Sequence, residues 1–293
     1  YIQPLCHLSG GPAAAGAGMI RGAARADKPS VPAGRPRKQT LPAARPARMI
    51  ARYSSAASPR AFMIEFGHLT HVGLRRELNE DTYYGDSELG LWLVADGMGG
   101  HEYGEVASAL AREAIVREVR QGTPLAQALR VADEEIIRAS RRRNDALPMG
   151  TTAVVLRVQG ERFEVAWIGD SRAYLWRDGR LAQLSQDHSY VQELIAQGSL
   201  TPEEARTHPQ RSAVTQALGV TDPAHLKVSG ELRPGMQLLL CSDGLTEEVD
   251  DARIAEVLSW QDCSAQECVD ILVAAALDGG GSDNVTAVLV RCH

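Results

Sequence analysis

The sequence predicts an α+β protein, and three observations carry that reading. Segments with strand and helix patterning come in blocks rather than in strict alternation. The Arg177-Asp178-Gly179 turn after RAYLWR is a hairpin signal, which favours antiparallel pairing. Several apolar runs break off at an acid beside a glycine. The 293 residues are 44% hydrophobic and 23% charged, enough for a sizeable core. No run approaches the ~20 apolar residues that a membrane-crossing helix needs. Five cysteines without a CxxC pair exclude a disulfide framework and a zinc ribbon, and point to a reducing, cytoplasmic setting.

Composition breaks at residue 62. Residues 1–62 hold ten Lys or Arg against one acid, Asp27, with eight of the 14 prolines, whereas residues 63–293 hold 21 bases and 36 acids. The net charge of −6 therefore joins a +9 segment to a −15 one. The first segment has no helical or strand periodicity and too little apolar surface to offset its chain entropy. It reads as a disordered leader with three candidate roles: a basic arm for nucleic acid or anionic membrane, an organellar transit peptide, or an overextended start. The last is preferred, with the working domain beginning at Met63 and expected to be stable and active from there.

From Met63 the patterning is regular. LWLVAD (91–96) reads as a strand running into GMGG. Residues 104–119 place Val106, Leu110, Ala114 and Val119 at near-helical spacing, and residues 125–139 do the same with Leu125, Leu129, Ala132, Ile136 and Ala139. TAVVLRV (152–158), FEVAWIG (163–169) and RAYLWR (172–177) read as strands. Residues 187–219 read as a separate, mostly helical insertion, in which Thr201-Pro202-Glu203-Glu204 supplies an N-cap, a proline at N1 and a capping-box glutamate. QLLLCSDG (237–244) is a further strand. A last helix starts near Ser264, with Glu267 closing its capping box, and stops at Gly279–Gly281; VTAVLVR (285–291) ends the pattern as a strand.

Five aspartates stand in turn-like sequences: Asp81 in NED, Asp96 in ADGMGG, Asp170 in IGDSR, Asp243 in CSDGL and Asp283 in GSDNV. A single Asp-Gly is ordinarily just a turn. Five such sites, three after an apolar strand, indicate shared chemistry, because strand ends hold side chains stiffly and glycine admits a ligand closely. Hard divalent cations take oxygen ligands, so carboxylates without His or Cys argue for Mg²⁺ or Mn²⁺ and against zinc. Neighbouring carboxylates repel unless a cation neutralises them.

In order over residues 70–291 occur NEDTYYGD, VADGMGGHEYGEVAS, MGTTAVV, GDSRAYLWRDGRLAQLSQDHSYVQELIAQGSLTPEEARTHP, LLLCSDGLTEEV and GGGSDNVTAVLV. Together they resemble the metal-dependent protein serine/threonine phosphatases of the PP2C (PPM) family, in its bacterial form. The resemblance covers residues 63–293 and none of 1–62. It implies a four-layer α/β/β/α sandwich of two antiparallel sheets flanked by helices. It also implies hydrolysis of phosphoserine and phosphothreonine on proteins by a metal-bound hydroxide, with no covalent enzyme intermediate. The centre would hold two Mn²⁺ or Mg²⁺ ions and a third, weaker one. By motif position, Asp96 bridges two ions, with the Gly97 carbonyl on one of them. Asp243 and Asp283 hold the first ion, and Asp81 the second, a role Glu80 could share. Asp170 and Asp243 hold the third. Arg76 falls where the family clamps phosphate; Arg75 is the solvated alternative, and register alone leaves a swap open. Where eukaryotic members carry a leaving-group histidine, this chain has Met98, so the general acid is His101 or a metal-bound water. Residues 187–219 match the family's flap, read as a specificity element, with His188 and His208 structural. The implied partners are phosphoprotein substrates and a cognate Ser/Thr kinase, for a monomeric enzyme.

Rival readings fail on the residues. A cysteine-dependent phosphatase needs Cys-x5-Arg, and no cysteine has an arginine at that spacing. Gly169-Asp170-Ser171 lacks the glycine placement of a hydrolase serine, and Asp170 has the better metal role. Cys241 reads as a buried small hydrophobe and Trp92, Trp167, Trp176 and Trp260 as core. A binding-only relative would have lost metal acids, yet Asp81, Asp96, Asp243 and Asp283 are present. The acid excess after residue 62 opposes nucleic-acid binding.

Overall fold

The computed structural model describes residues 62–99, 103–142, 148–220 and 226–293. The predicted leader, apart from Phe62, lies outside the described residues, as does His101.

The described chain enters along β1 (Ile64–His71), crosses to β2 (Asp81–Asp86) and returns along β3 (Leu91–Met98). Helices α1 (Tyr103–Arg120) and α2 (Leu125–Arg141) precede the two-residue β4 (Gly150–Thr151) and the pair β5 (Ala153–Gln159) and β6 (Arg162–Ile168). Next come β7 (Arg172–Arg177), β8 (Arg180–Gln183), α3 (Tyr190–Ala196), α4 (Pro202–Arg206), β9 (Leu226–Glu231) and β10 (Gln237–Cys241). α5 (Asp243–Thr246), α6 (Asp251–Leu258), α7 (Ala265–Gly279) and β11 (Val285–Cys292) complete the order. One sheet runs β1-β11-β10-β7-β8 and the other β2-β3-β5-β6-β9, with β4 beside β3. Every pairing is antiparallel. The expected α+β class and α/β/β/α sandwich are the observed ones.

Three apolar layers explain the stack. In β3, Leu91, Leu93 and Ala95 pack under α1 and α2, while Trp92 and Val94 face the other sheet. In β10 and β11, Leu239, Cys241, Ala287 and Leu289 pack with α6 and α7, while Leu238, Leu240, Val288 and Val290 fill the middle layer. The period of two thus sorts side chains between two cores rather than between core and water. Such strands read as continuous apolar runs.

Some expectations change. Val106 is 46% exposed and Leu110 only partly buried. The face α1 buries is Ala107, Ala111, Ala114, Ile115 and Val119, where alanines let the helix sit close on β3. The Arg177–Arg180 hairpin forms as expected, with Asp178 and Gly179 both at positive φ (51° and 75°). The Gly169-Asp170-Ser171 link, by contrast, carries the chain from one sheet to the other. Both capping boxes are present, at Thr201 and Ser264. Within 187–219, helix is limited to α3 and α4. Trp92 and Trp167 are buried; Trp176 and Trp260 are only partly so, Trp260 lying under the Arg253 guanidinium. Among the described residues, no helix is long and apolar enough to cross a membrane.

Candidate metal centre and phosphate site

Strand register gathers the acids. Cys241 pairs with Arg172 on one side and Ala287 on the other, and His71 pairs with Val285. Asp170, Asp243 and Asp283 each lie two residues beyond those paired ends, so they emerge at one end of the five-stranded sheet. In the other sheet Asp81 is the register partner of Asp96. Asp81 and Asp96 therefore lie in strands rather than in turns, because pairing continues through Gly97 and Met98 onto β4. Asp243 opens α5.

The side chains at this end are electrostatically strained. Asp81 is 8% exposed; its Oδ2 accepts from Ser242 Oγ at 2.8 Å, and its Oδ1 has no hydrogen-bond partner. Burial lifts its carboxyl to about 6, against the hydrogen bonds of Thr286 and Ser242. Burial also lifts Asp96 well above the carboxylate range, reinforced by Asp81, Asp243, Asp170 and Asp283. Asp243 is raised by burial and then by Asp170, Glu247, Asp283 and Asp81, and its Oδ1 is also buried without a partner. Burial and Asp187 lift Asp170 to about 7. Buried carboxylate oxygens with no donor, facing further carboxylates, have the chemistry that a divalent cation satisfies. The side chains are not drawn into a closed cage: among the described residues, no three His, Cys, Asp or Glu side chains form a metal-holding group.

Glycines shape the floor. A Cβ at Gly97 would run into the Gly104 backbone and the Glu80 carbonyl, so the end of β3 and the start of α1 meet backbone to backbone. Glu80 is engaged here, its Oε1 accepting from Gly104 N at 3.1 Å. That ties it to the start of α1, where a carboxylate suits the helix dipole.

Arg76 lies in the crossover between β1 and β2. Its Nη2 donates to Asp283 Oδ2 at 2.6 Å, and that bond raises the guanidinium's affinity for its proton. Arg76 is thus the arginine that turns toward the acids, while Arg75 is exposed. Half of the Arg76 side chain (52%) remains open to solvent.

Several supporting residues had no role in the sequence reading. Ser242 Oγ donates to Asp81 and accepts from Thr286 N, stitching β10, β11 and β2 together. Asn284 accepts from Glu80 N at 2.8 Å and donates to the carbonyls of Val72 and Leu78, fixing both ends of the loop that carries Arg76. Thr152 Oγ1 accepts from Asp96 N and meets Ser171 Oγ at 2.7 Å. For Ser171, Ser242 and Asn284 the signal was adjacency to Asp170, Asp243 and Asp283; Thr152, in MGTTAVV, had no acid beside it.

His188 is structural, as expected. Its Nδ1 accepts from Gly169 N at 3.1 Å and its own N–H returns to the Gly169 carbonyl at 2.9 Å, which clamps the crossover bearing Asp170. Burial lowers its pKa, which suits the neutral acceptor. His208 Nδ1 likewise accepts from Gln210 N. Arg172 forks onto Asp187 through Nε and Nη2. Beside Asp170 and Asp243 opens a cleft of ≈ 580 Å³, lined by Gln192 and Ile195 of α3, Ala205 of α4, and Glu247.

Comparison with known proteins gives the family. The profile of the family described as Protein phosphatase 2C matches residues 74–268. The chain belongs to the protein phosphatase 2C family. That match takes in Arg76, Asp81, Asp96, Asp170 and Asp243 and stops short of Asp283, which β11 carries to the site. Among relatives of this phosphatase 2C domain, "Serine/threonine protein phosphatase PstP" of Mycobacterium tuberculosis is 41% identical over 223 residues, 74% of this chain. The chain spans only 43% of that relative's length. "Protein phosphatase PhpP" of Streptococcus pneumoniae is 35% identical over 78% of this chain and 98% of its own. The crystal structure of the catalytic domain of PstP in complex with two manganese ions superposes with a TM-score of 0.72 at 36% identity, covering 79% of this chain and 99% of that one.

Proposed function

We propose that this domain hydrolyses phosphoserine and phosphothreonine on proteins in a divalent-metal-dependent reaction, opposing a Ser/Thr kinase. The observation that supports this most is the cluster of mutually repelling aspartates, two of them with a buried oxygen that has no partner, set against one half-exposed arginine on a protein phosphatase 2C fold. Asp81, Asp96, the Gly97 carbonyl, Asp243 and Asp283 would together hold two Mn²⁺ or Mg²⁺ ions, with Asp170 and Asp243 holding a third, weaker one. Such ions, when bound, neutralise the carboxylates, polarise the phosphoryl group and acidify water toward neutrality.

The chain's own residues do the rest. Ser242 holds Asp81 in one orientation through Oδ2, which leaves Oδ1 free to ligate. Arg76 exchanges Asp283 for two phosphoryl oxygens, a swap that its exposed planar guanidinium permits. Asn284 keeps the Arg76 loop in place during that exchange. His101 is retained as the candidate proton donor to the leaving alcohol. The cleft under α3 and α4 is where the polypeptide around the phosphoresidue would lie, giving residues 187–219 their role in specificity. Residues 63–293 are the working unit in this reading.

Hydrolysis of p-nitrophenyl phosphate and of a phosphothreonine peptide in Mn²⁺ is the test. Turnover should vanish with chelator and in Asp96→Asn or Asp243→Asn while the circular dichroism spectrum is retained. Turnover surviving in either variant would remove the metal assignment.

A further inference from the structure

On the α1 side of β2 lies positive charge that the reaction does not use. Among the described residues β2 is the outermost strand of its sheet and pairs only with β3. Its alternate residues Thr82 and Tyr84 turn toward α1. Arg112 Nη1 donates to Thr82 Oγ1 at 2.7 Å, and Arg120 Nη2 to the Tyr84 hydroxyl at 2.9 Å. Both arginines thus spend these bonds on uncharged oxygens. Arg112 meets Glu113 only at 3.9 Å, and the Tyr84 hydroxyl donates a hydrogen bond to Asp86 Oδ2 at 2.9 Å. Arg117, between them, is paired with Glu118 and Glu135. Tyr84, Val116 and these three arginines line a groove of ≈ 510 Å³ in which Glu113 is the one acid. Glu118 and Glu135 offset Arg117, so among the described residues Arg112 and Arg120 are the groove's two arginines with no ion pair shorter than 3.9 Å, in a segment that carries fifteen excess acids.

We propose that the groove docks an extended, acidic segment of the phosphoprotein substrate along the free edge of β2. The inference rests on the phosphatase reading, because β2 begins at Asp81 and follows directly from the loop bearing Arg76. An extended chain advances about 3.3 Å per residue. With the phosphoresidue at Asp81, side chains from about three positions away come level with Tyr84, the strand residue that Arg120 bonds. Charge complementarity selects the occupant: the basic leader has the wrong sign, and a nucleic acid would be repelled by the acidic remainder.

The test uses phosphothreonine peptides carrying glutamates three to five positions to either side, with glutamine and lysine versions as controls. Hydrolysis by the Mn²⁺-loaded protein is read beside direct binding by fluorescence anisotropy. The acidic peptide should bind and react with Kd and KM about five- to tenfold lower than the glutamine version. About 0.5 M NaCl should erase that preference. The Arg112→Glu, Arg120→Glu double variant should transfer the preference to the lysine peptide while p-nitrophenyl phosphate turnover is unchanged. Arg120→Gln, which keeps a donor toward Tyr84, should reduce the preference in a folded background. Equal affinities of the native protein for acidic and neutral peptides, or a preference that survives charge reversal, would overturn the docking proposal. Loss of all turnover with the binding preference intact would instead overturn the phosphatase reading.

Discussion

Replacing Asp81 by Asn should stabilise the metal-free protein at neutral pH while removing its response to metal. Asn keeps the size of Asp and can still accept from Ser242 Oγ, but it carries no charge into a buried site. The magnitude follows from the carboxyl's displacement from 3.8 to about 6. The folded protein then holds this proton more tightly than the unfolded chain, so stability is lost as pH rises. The penalty is absent below about 3.8, reaches about half by pH 5, and is complete above about 6, where it amounts to about 3 kcal/mol. In a domain of this size that corresponds to roughly 6–12 °C in Tm. Thermal melts in chelator at pH 5 and 7.5 would measure it, with the advantage of Asp81→Asn roughly doubling between the two. Adding Mn²⁺ should raise the Tm of the native protein far more than that of the variant. An advantage that is equal at both pH values, or reversed in sign, would refute the assignment of burial as the cause.

Other expectations bear on the neighbouring groups. Ser242→Ala removes bonds to Asp81 and Thr286 N, and should cost about 1–3 kcal/mol in urea melts; calorimetry should show Mn²⁺ affinity reduced about 10–100-fold. Arg76→Lys keeps the charge but loses the fork, so kcat/KM for phosphopeptides should fall about 10–100-fold with Mn²⁺ binding retained. His101→Ala should slow phosphothreonine hydrolysis several-fold and leave p-nitrophenyl phosphate almost untouched, since that leaving group departs without a proton. Equal losses on both substrates would deny His101 the acid role.

The sequence marked out the candidate acids of the site but misplaced some of their geometry. Asp81 and Asp96 stood out as candidate metal ligands, yet their turn-like neighbours concealed that both sit in paired strands. Val106 looked like a core position by spacing, whereas alanines form the packed face of α1. Ser242 and Asn284 lay inside recognised motifs, but a hydroxyl or amide shows its role only when its partners, over a hundred residues away for Asp81 and Glu80, are folded against it. The choice of Arg76 over Arg75 has the same origin, since adjacent residues differ only in the direction a loop gives them.

What the sequence determined by itself is local or compositional. Cap residues, the Asp178-Gly179 turn, the apolar runs and the acid-only inventory each follow from the preferences of a few neighbouring residues. Tertiary structure alone decided which acids share a site, because convergence depends on register between strands distant in the chain. Cys241 paired to both Arg172 and Ala287 brings Asp170, Asp243 and Asp283 together. Their shifted proton affinities arise only then, since burial and mutual repulsion do not exist until the two sheets close over them.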